Sequence, residues 1–182
     1  MKIIGIGNSR INTINLINSK NIANTKTAII CANKSDLERV SADQKLLVDS
    51  ISDISIEKSE KVILLVALGG KTGNENIISL ANKINNNKLA IVTTPFPFEG
   101  SKRRDLAEKT INGLKEKVDV LIVINNGEIQ KTYDNLSIDE AFHKSDDIIL
   151  QLISEVLNTA EDNLQQDYNT KLQQYKSFIK II

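Results

Sequence analysis

Five short runs of almost unbroken apolar residues punctuate this chain: KIIGIG (2–7), TAIICA (27–32), KVILLVAL (61–68), LAIVTT (89–94) and VDVLIVI (118–124). A strand with one solvent face alternates apolar and polar residues. These runs do not, so each is expected to be buried on both faces, as strands of a parallel sheet are. Between them, apolar residues recur at helical spacing: Ile11, Ile14 and Ile17 or Leu16; Ile77, Leu80, Ala81 and Ile84; Leu106, Ala107, Ile111 and Leu114. Strand and helix in alternation predict an α/β fold, a three-layer Rossmann-like parallel sheet with helices on both faces. Ligands of such sheets bind beyond the carboxyl ends of the strands.

After Ile124 the pattern becomes helical throughout. Residues 137–160 read as one long helix opened by Ser137, with Glu140 three residues on as its capping-box partner. Leu164, Tyr168, Leu172, Tyr175 and Ile179 keep a spacing of three to four, which predicts a C-terminal helix within 160–182 that packs against the domain. The whole chain, 1–182, is of a size for one domain.

Lys and Arg number 23, as do Asp and Glu, so bulk charge gives no reason to expect a nucleic-acid partner. One cysteine, Cys31, and one histidine, His143, exclude an internal disulfide and a Cys/His metal cluster. Cys31, at a strand end, reads as a small core residue. Met1 leads straight into KIIGIG with no signal-peptide pattern, and no apolar run approaches the roughly 18 residues of a membrane span. A cytoplasmic protein is expected.

Two glycine-bearing stretches follow strands. GIGNSRIN (5–12) stands where a dinucleotide fingerprint would, but Arg10 takes the place of its third glycine, and no acidic residue closes the second strand. GGKTG (69–73) is no P-loop, because Leu65 occupies the position of that motif's first glycine.

Taken in order, the segments resemble the FtsZ/tubulin family, the cell-division GTPase FtsZ and its relatives. TTPFPFEGSKRRDLAEKTINGLKEKVDVLIVINNGEI (93–129) is similar to the FtsZ segment built on T-x-P-F-x-F-E-G, a basic cluster and V-D-x-L-I-V-I-x-N. EAFHKSDDIILQ (140–151) is similar to the start of the family's central helix. GIGNSRINTIN falls where FtsZ has G-x-G-G-G-G-G-N, ADQKLLV (42–48) resembles A-D-x-K-L-x-I, and GGKTGNE (69–75) aligns with G-G-G-T-G-T-G. The likeness runs over residues 3–155.

The resemblance implies a guanine nucleotide, GTP or GDP with Mg²⁺, as ligand. It implies that Phe142 stacks on the base, that Asn126, Asp146 and Asp147 read its edge, and that Asn12 and Asn33 contact the nucleoside. Glu99 and Arg103 match contacts to ribose and phosphate. Gly5 and Gly7 belong to the first phosphate loop, and Gly69, Gly70, Thr72 and Gly73 to the second. It further implies cell-division function through self-association or an FtsZ-type partner.

The phosphate side departs from the pattern. Asn8, Ser9, Arg10 and Ile11 replace glycines, so side chains intervene between that loop and a polyphosphate. Lys71 supplies charge that Glu75 opposes. SISDISIEKSE (50–60) lacks the loop with which the family senses the third phosphate. The catalytic N-x-D-x-x-D is matched only by NLQQDY (163–168), with Gln165 and Tyr168 at the acidic positions, and no counterpart of the family's C-terminal domain is expected. No catalytic residue is assigned.

Read from the residues alone, Phe142 is equally a core residue of a helix face, and Asp146 and Asp147 a solvated one. Lys71 and Glu75 pair across one helical turn; the cluster Lys102–Arg104 is surface, and His143 is exposed. Two functions follow: an FtsZ-like guanine-nucleotide domain with weak or absent hydrolysis, or a degenerate FtsZ fold that binds a protein partner without nucleotide.

Overall fold

The computed structural model describes residues 1–22, 24–57, 60–157 and 175–182. Among these residues seven strands form one sheet: β1 (Lys2–Ile6), β2 (Lys26–Cys31), β3 (Gln44–Leu47), β4 (Val62–Ala67), β5 (Lys88–Thr93), β6 (Val120–Ile124) and β7 (Ile179–Ile181). Their order is β3-β2-β1-β4-β5-β6-β7. The first six are parallel, and β7 runs antiparallel to β6. Among the described residues six α-helices accompany them: α1 (Ile11–Ser19), α2 (Lys34–Glu38), α3 (Lys71–Lys83), α4 (Ser101–Leu114), α5 (Asn126–Thr132) and α6 (Ile138–Leu157).

The unbroken apolar runs are explained by two cores, one on each face. Ile3, Ile29, Ile63, Leu65, Ile91 and Ile122 point toward α1 and α6, meeting Ile14, Ile17, Ile149 and Ile153. Their neighbours Ile4, Ile30, Leu64, Val66, Val92 and Leu121 point the other way, toward Ile77 and Leu80 of α3 and Ala107 and Leu114 of α4. Successive strand residues thus serve opposite faces, and both must be apolar. The three-layer parallel architecture is as expected.

Two edge strands escape the hydrophobic pattern. In β3, at one edge, Gln44 and Lys45 interrupt the apolar run and the strand is only half-buried. At the other edge, the helical spacing through Tyr175 and Ile179 misleads: Tyr175–Phe178 form a turn and 179–181 a strand. The backbone of β6 is the reason. Leu121 and Ile182 exchange two N–H···O bonds of 3.1 and 2.9 Å, and Asn125 N–H donates to Phe178 O at 2.7 Å. Those donors and acceptors would otherwise stand open along a sheet edge. The rest of the predicted C-terminal helix, 160–174, lies outside the described residues, as does Asn163–Tyr168. Among the described residues no helix is long and apolar enough to cross a membrane.

The cap of α6 is as the sequence indicates. Glu140 Oε2 accepts from Ser137 N and Oγ at 2.8 and 2.7 Å, and Glu140 N–H donates back to Ser137 Oγ at 3.3 Å. These bonds hold the Glu140 carboxyl below the ordinary glutamate range. A lowered folded value means that its contribution is complete at neutral pH and is lost as pH falls through that value. Ser137→Ala is therefore expected to cost about 1 kcal/mol of unfolding free energy at pH 7, with the wild-type advantage shrinking in acid; urea denaturation at neutral and acidic pH measures both.

Candidate functional site

The strand order reverses direction between β1 and β4, and the connections that leave these two strands diverge to opposite faces. A crevice opens there beyond the carboxyl ends. It holds a cavity of about 490 Å³, within the range of small-molecule sites. Its walls come from five separate parts of the chain: the β1–α1 turn (Asn8, Ser9, Arg10, Asn12), the end of β4 (Leu68, Gly70), the end of β5 (Thr93, Thr94, Pro95), the turn and helix that follow (Glu99, Arg103), and α5 with α6 (Asn126, Asp139, Phe142, Asp146).

The floor is polar and buried. Arg10 is 4% exposed and Asp146 8%. Arg10 Nη1 lies 3.4 Å from Asp146 Oδ1, and Nη2 donates to Thr93 Oγ1 at 2.5 Å. Thr13 Oγ1 donates to the same Asp146 oxygen at 2.6 Å. Burial pulls the Arg10 guanidinium down from its ordinary pKa against the opposing pull of Asp146. Burial likewise pushes the Asp146 carboxyl up, while Arg10 and Thr13 work to lower it. The guanidinium keeps its proton in proteins, so the contact is an ion pair. Arg10 Nε is buried with no hydrogen-bond partner.

An aromatic cluster stands at one side, and of its rings Phe142 lines the cavity. Phe142 is 43% exposed and Phe98 45%. Phe96 and Phe98 stack at 5.2 Å, and Phe142 sets its ring edgewise to both, at 5.0 and 6.2 Å. Nearby, Glu99 accepts from Phe96 N–H at 2.8 Å and from Arg103 Nη1 at 2.7 Å. Asn126 is buried, and its Oδ1 accepts from Ser145 Oγ at 2.9 Å, which ties α5 to α6.

Of the residues singled out in the sequence, the fold brings Asn12, Gly70, Glu99, Arg103, Asn126, Phe142 and Asp146 to this cavity. Others lie off its wall. Asp147 is exposed on the neighbouring side of α6. Asn33 stands at the N-cap position of α2, and its Nδ2 donates to Asp36 Oδ2 at 2.8 Å. Thr72 is on α3 behind Gly70, and Lys71 and Glu75, both exposed there, form no ion pair with each other. Gly5 and Gly73 are packing glycines: a Cβ would come within 2.8 Å of Ile14 Cγ1 in the first case and 2.6 Å of Val66 Cγ2 in the second. Gly7 turns the chain out of β1 with φ +89°. Sequence reasoning missed Thr13 and Thr93, which show no motif, and Asn74, whose Oδ1 accepts from Gly69 N–H at 2.7 Å while Nδ2 donates to Thr110 Oγ1 at 2.5 Å. Asn74 thereby fixes the glycine turn against α4. Cys31 is buried, and burial pushes its thiol up to about 11, which leaves it a neutral packing group.

The strand order, the two helical layers and the crevice at the switch point define a Rossmann-like α/β domain. The GTPase domain of the Tubulin/FtsZ family matches residues 8–134, and this chain belongs to that family. It is 28% identical over 92% of its length to cell division protein FtsZ 1 of Thermococcus kodakarensis, covering 52% of that protein. To FtsZ of Helicobacter pylori it is 30% identical over 69% of its length, covering 34% of that protein. The solved FtsZ dimer of M. jannaschii superposes with a TM-score of 0.77 at 26% identity, over 85% of this chain and 53% of that one. GDP-bound CetZ1 from Haloferax volcanii shares the fold, with a TM-score of 0.72 at 18% identity, over 93% of this chain and 64% of that one. The chain spans about half the length of the FtsZ relatives that match most of it.

The glycine turn before α3 gives a direct test of the site's framework. Gly69 has φ +92°, and a Cβ on it would stand 2.5 Å from Pro95 Cγ and 3.0 Å from Arg103 Cβ; a Cβ on Gly70 meets nothing within 4 Å. Gly69→Ala is expected to destabilise by about 2 kcal/mol or more, and Gly70→Ala by less than about 1 kcal/mol; denaturant midpoints of the two variants provide the comparison.

Proposed function

We propose that this chain is an FtsZ-like guanine-nucleotide-binding domain that takes GTP or GDP in the cavity at the β1/β4 switch point. In this reading it acts in the cytoplasm, in cell division, by associating with copies of itself or with an FtsZ-type filament. One observation carries the reading. Asn12, Glu99, Arg103, Asn126, Phe142 and Asp146, scattered over more than a hundred residues, meet around one cavity of about 490 Å³. Each has chemistry suited to a guanine nucleotide. Phe142 offers an exposed ring to a base, and Asp146 is an acceptor-only group for the ring N–H and amine that adenine lacks on that edge. Gly70, at the start of α3 with no side chain capping that helix, leaves first-turn amides available to phosphate.

Hydrolysis by the isolated chain is not assigned, because NLQQDY carries Gln165 and Tyr168 where the family motif has acids. Mg²⁺ enters as a companion of the phosphates, since among the described residues no three acidic, His or Cys side chains converge on a metal position. A second reading, a degenerate FtsZ fold that works by binding a protein, is favoured by the Arg10–Asp146 contact, which engages the cavity's carboxylate from within.

Isothermal titration with GDP and GTP in the presence of Mg²⁺ separates the two readings. Saturable binding is expected, weakened at least about 5-fold by Phe142→Ala, the scale of a lost aromatic contact of about 1 kcal/mol, and unchanged by Asp147→Ala. Silence with both nucleotides up to millimolar concentration sinks the first reading and leaves the second.

A further inference from the structure

The guanidinium of Arg10 is a planar fork of N–H donors, and it faces the carboxylate of Asp146 from the β1–α1 turn, 136 residues away in sequence. A guanine base would approach the same carboxylate with the same kind of edge, a ring N–H beside an exocyclic amine. Resting on the nucleotide reading above, we propose that Arg10 sets the affinity and selectivity of the site by standing in for the guanine edge. Its side chain occupies Asp146 and must be displaced before a guanine base can be read.

Four features of the geometry support this. Arg10 and Asp146 both line the cavity, so the contact stands in the wall that a ligand would meet. Arg10 is one of the four residues that replace glycines in the resembled loop, and the one whose long side chain reaches over the strand ends to Thr93 and Asp146. The fork is held from three elements at once: Asp146 of α6, Thr93 Oγ1 at the end of β5 and Thr13 of α1. Yet the contact is loose for an ion pair. Its 3.4 Å separation exceeds the roughly 2.7–2.9 Å of a well-made charge-assisted bond, and Arg10 Nε finds no partner. A buried pair satisfied this incompletely gains little from its mutual attraction. A ligand that offers Asp146 two short donors, and releases Arg10 to water, can compete with it. With the guanidinium gone, Asp146 keeps the Thr13 hydroxyl as a donor at 2.6 Å, and the guanine edge supplies further ones.

The inference predicts a gain of binding on removing a cation from a site for an anion. Guanosine, GDP and ADP are titrated into the wild-type chain and into Arg10→Ala, with Arg10→Met as a second variant that keeps the aliphatic packing without the N–H groups. The expected result is a rise in affinity for both guanosine and GDP of at least about 10-fold, none for ADP, and loss of the gain in the double variant Arg10→Ala/Asp146→Ala. The melting temperature of Arg10→Ala falls in buffer and recovers further with GDP than that of the wild type, because stabilisation by a ligand grows with the logarithm of its affinity. Unchanged guanosine affinity in both variants overturns the inference. So does weaker GDP binding with guanosine unaffected, which makes Arg10 a phosphate ligand, and so does failure of both variants to fold, which makes it part of the framework. In those cases wild-type binding leaves the nucleotide reading standing. If no form binds guanosine or GDP at millimolar concentration, the nucleotide reading itself falls, and this inference with it.

Discussion

Burial of the parallel strands on both faces is the constraint from which the other features of this fold follow. Ile3 and Ile4, or Leu64 and Leu65, are adjacent in the chain and serve opposite cores, each fully screened from water. Such strands cannot be joined by tight turns: each parallel connection has to cross a face of the sheet, and those after β1, β4 and β5 carry the helices α1, α3 and α4 that cover it. Because β1 lies inside the sheet and the chain first builds outward to β3 before returning to β4 on the other side of β1, the connections at β1 and β4 leave in opposite directions. The cavity is a by-product of that reversal. Its position owes nothing to the polar residues that line it.

What those polar residues decide is the character of the crevice. Glycines at the β1–α1 turn would leave backbone amides facing an open space. This chain instead has Asn8, Ser9, Arg10 and Ile11 there, and the consequences differ with position. Ile11 turns into the core with Ile14 and Ile17, whereas Arg10 extends beneath the cavity to Thr93 and Asp146. A charged group is brought into a buried position, and three hydroxyl or carboxylate groups from different elements converge to hold it. The second glycine turn keeps its backbone shape by another device, since Asn74 bonds Gly69 N–H and ties the turn to Thr110 of α4. The two loops that would flank a polyphosphate are therefore both fastened from inside the protein.

The fold was legible in the sequence to the extent that it rests on hydrophobic pattern. All five apolar runs are strands, the helical spacings up to Leu157 are helices, and the Ser137–Glu140 cap stands where it was expected. The pattern failed at the edges. Gln44–Leu47 is half-exposed and reads as polar, and Ile179 sits at a helical interval from Tyr175 yet joins a strand, because the open edge of β6 offers backbone partners that no local spacing reveals. The site was legible only through its resemblance to a family. Phe142, Asn126 and Asp146 meet at the cavity, while Asn33 and Asp147, drawn from the same motifs, face elsewhere. A motif fixes which residues are near one another in the chain, and on a helix two adjacent carboxylates point about 100° apart.

By itself the sequence determined the number of central strands, the helices between them, the double-sided core and the family, since each is written in local periodicity or in contiguous motifs. Tertiary structure decided which side chains share the cavity and what they do to one another. Arg10 and Asp146 are 136 positions apart, and nothing in either neighbourhood announces the other. Only the packing of α6 beside α1, over strands brought together by the crossovers, sets a guanidinium against a carboxylate in a place too dry for either to be left unpaired.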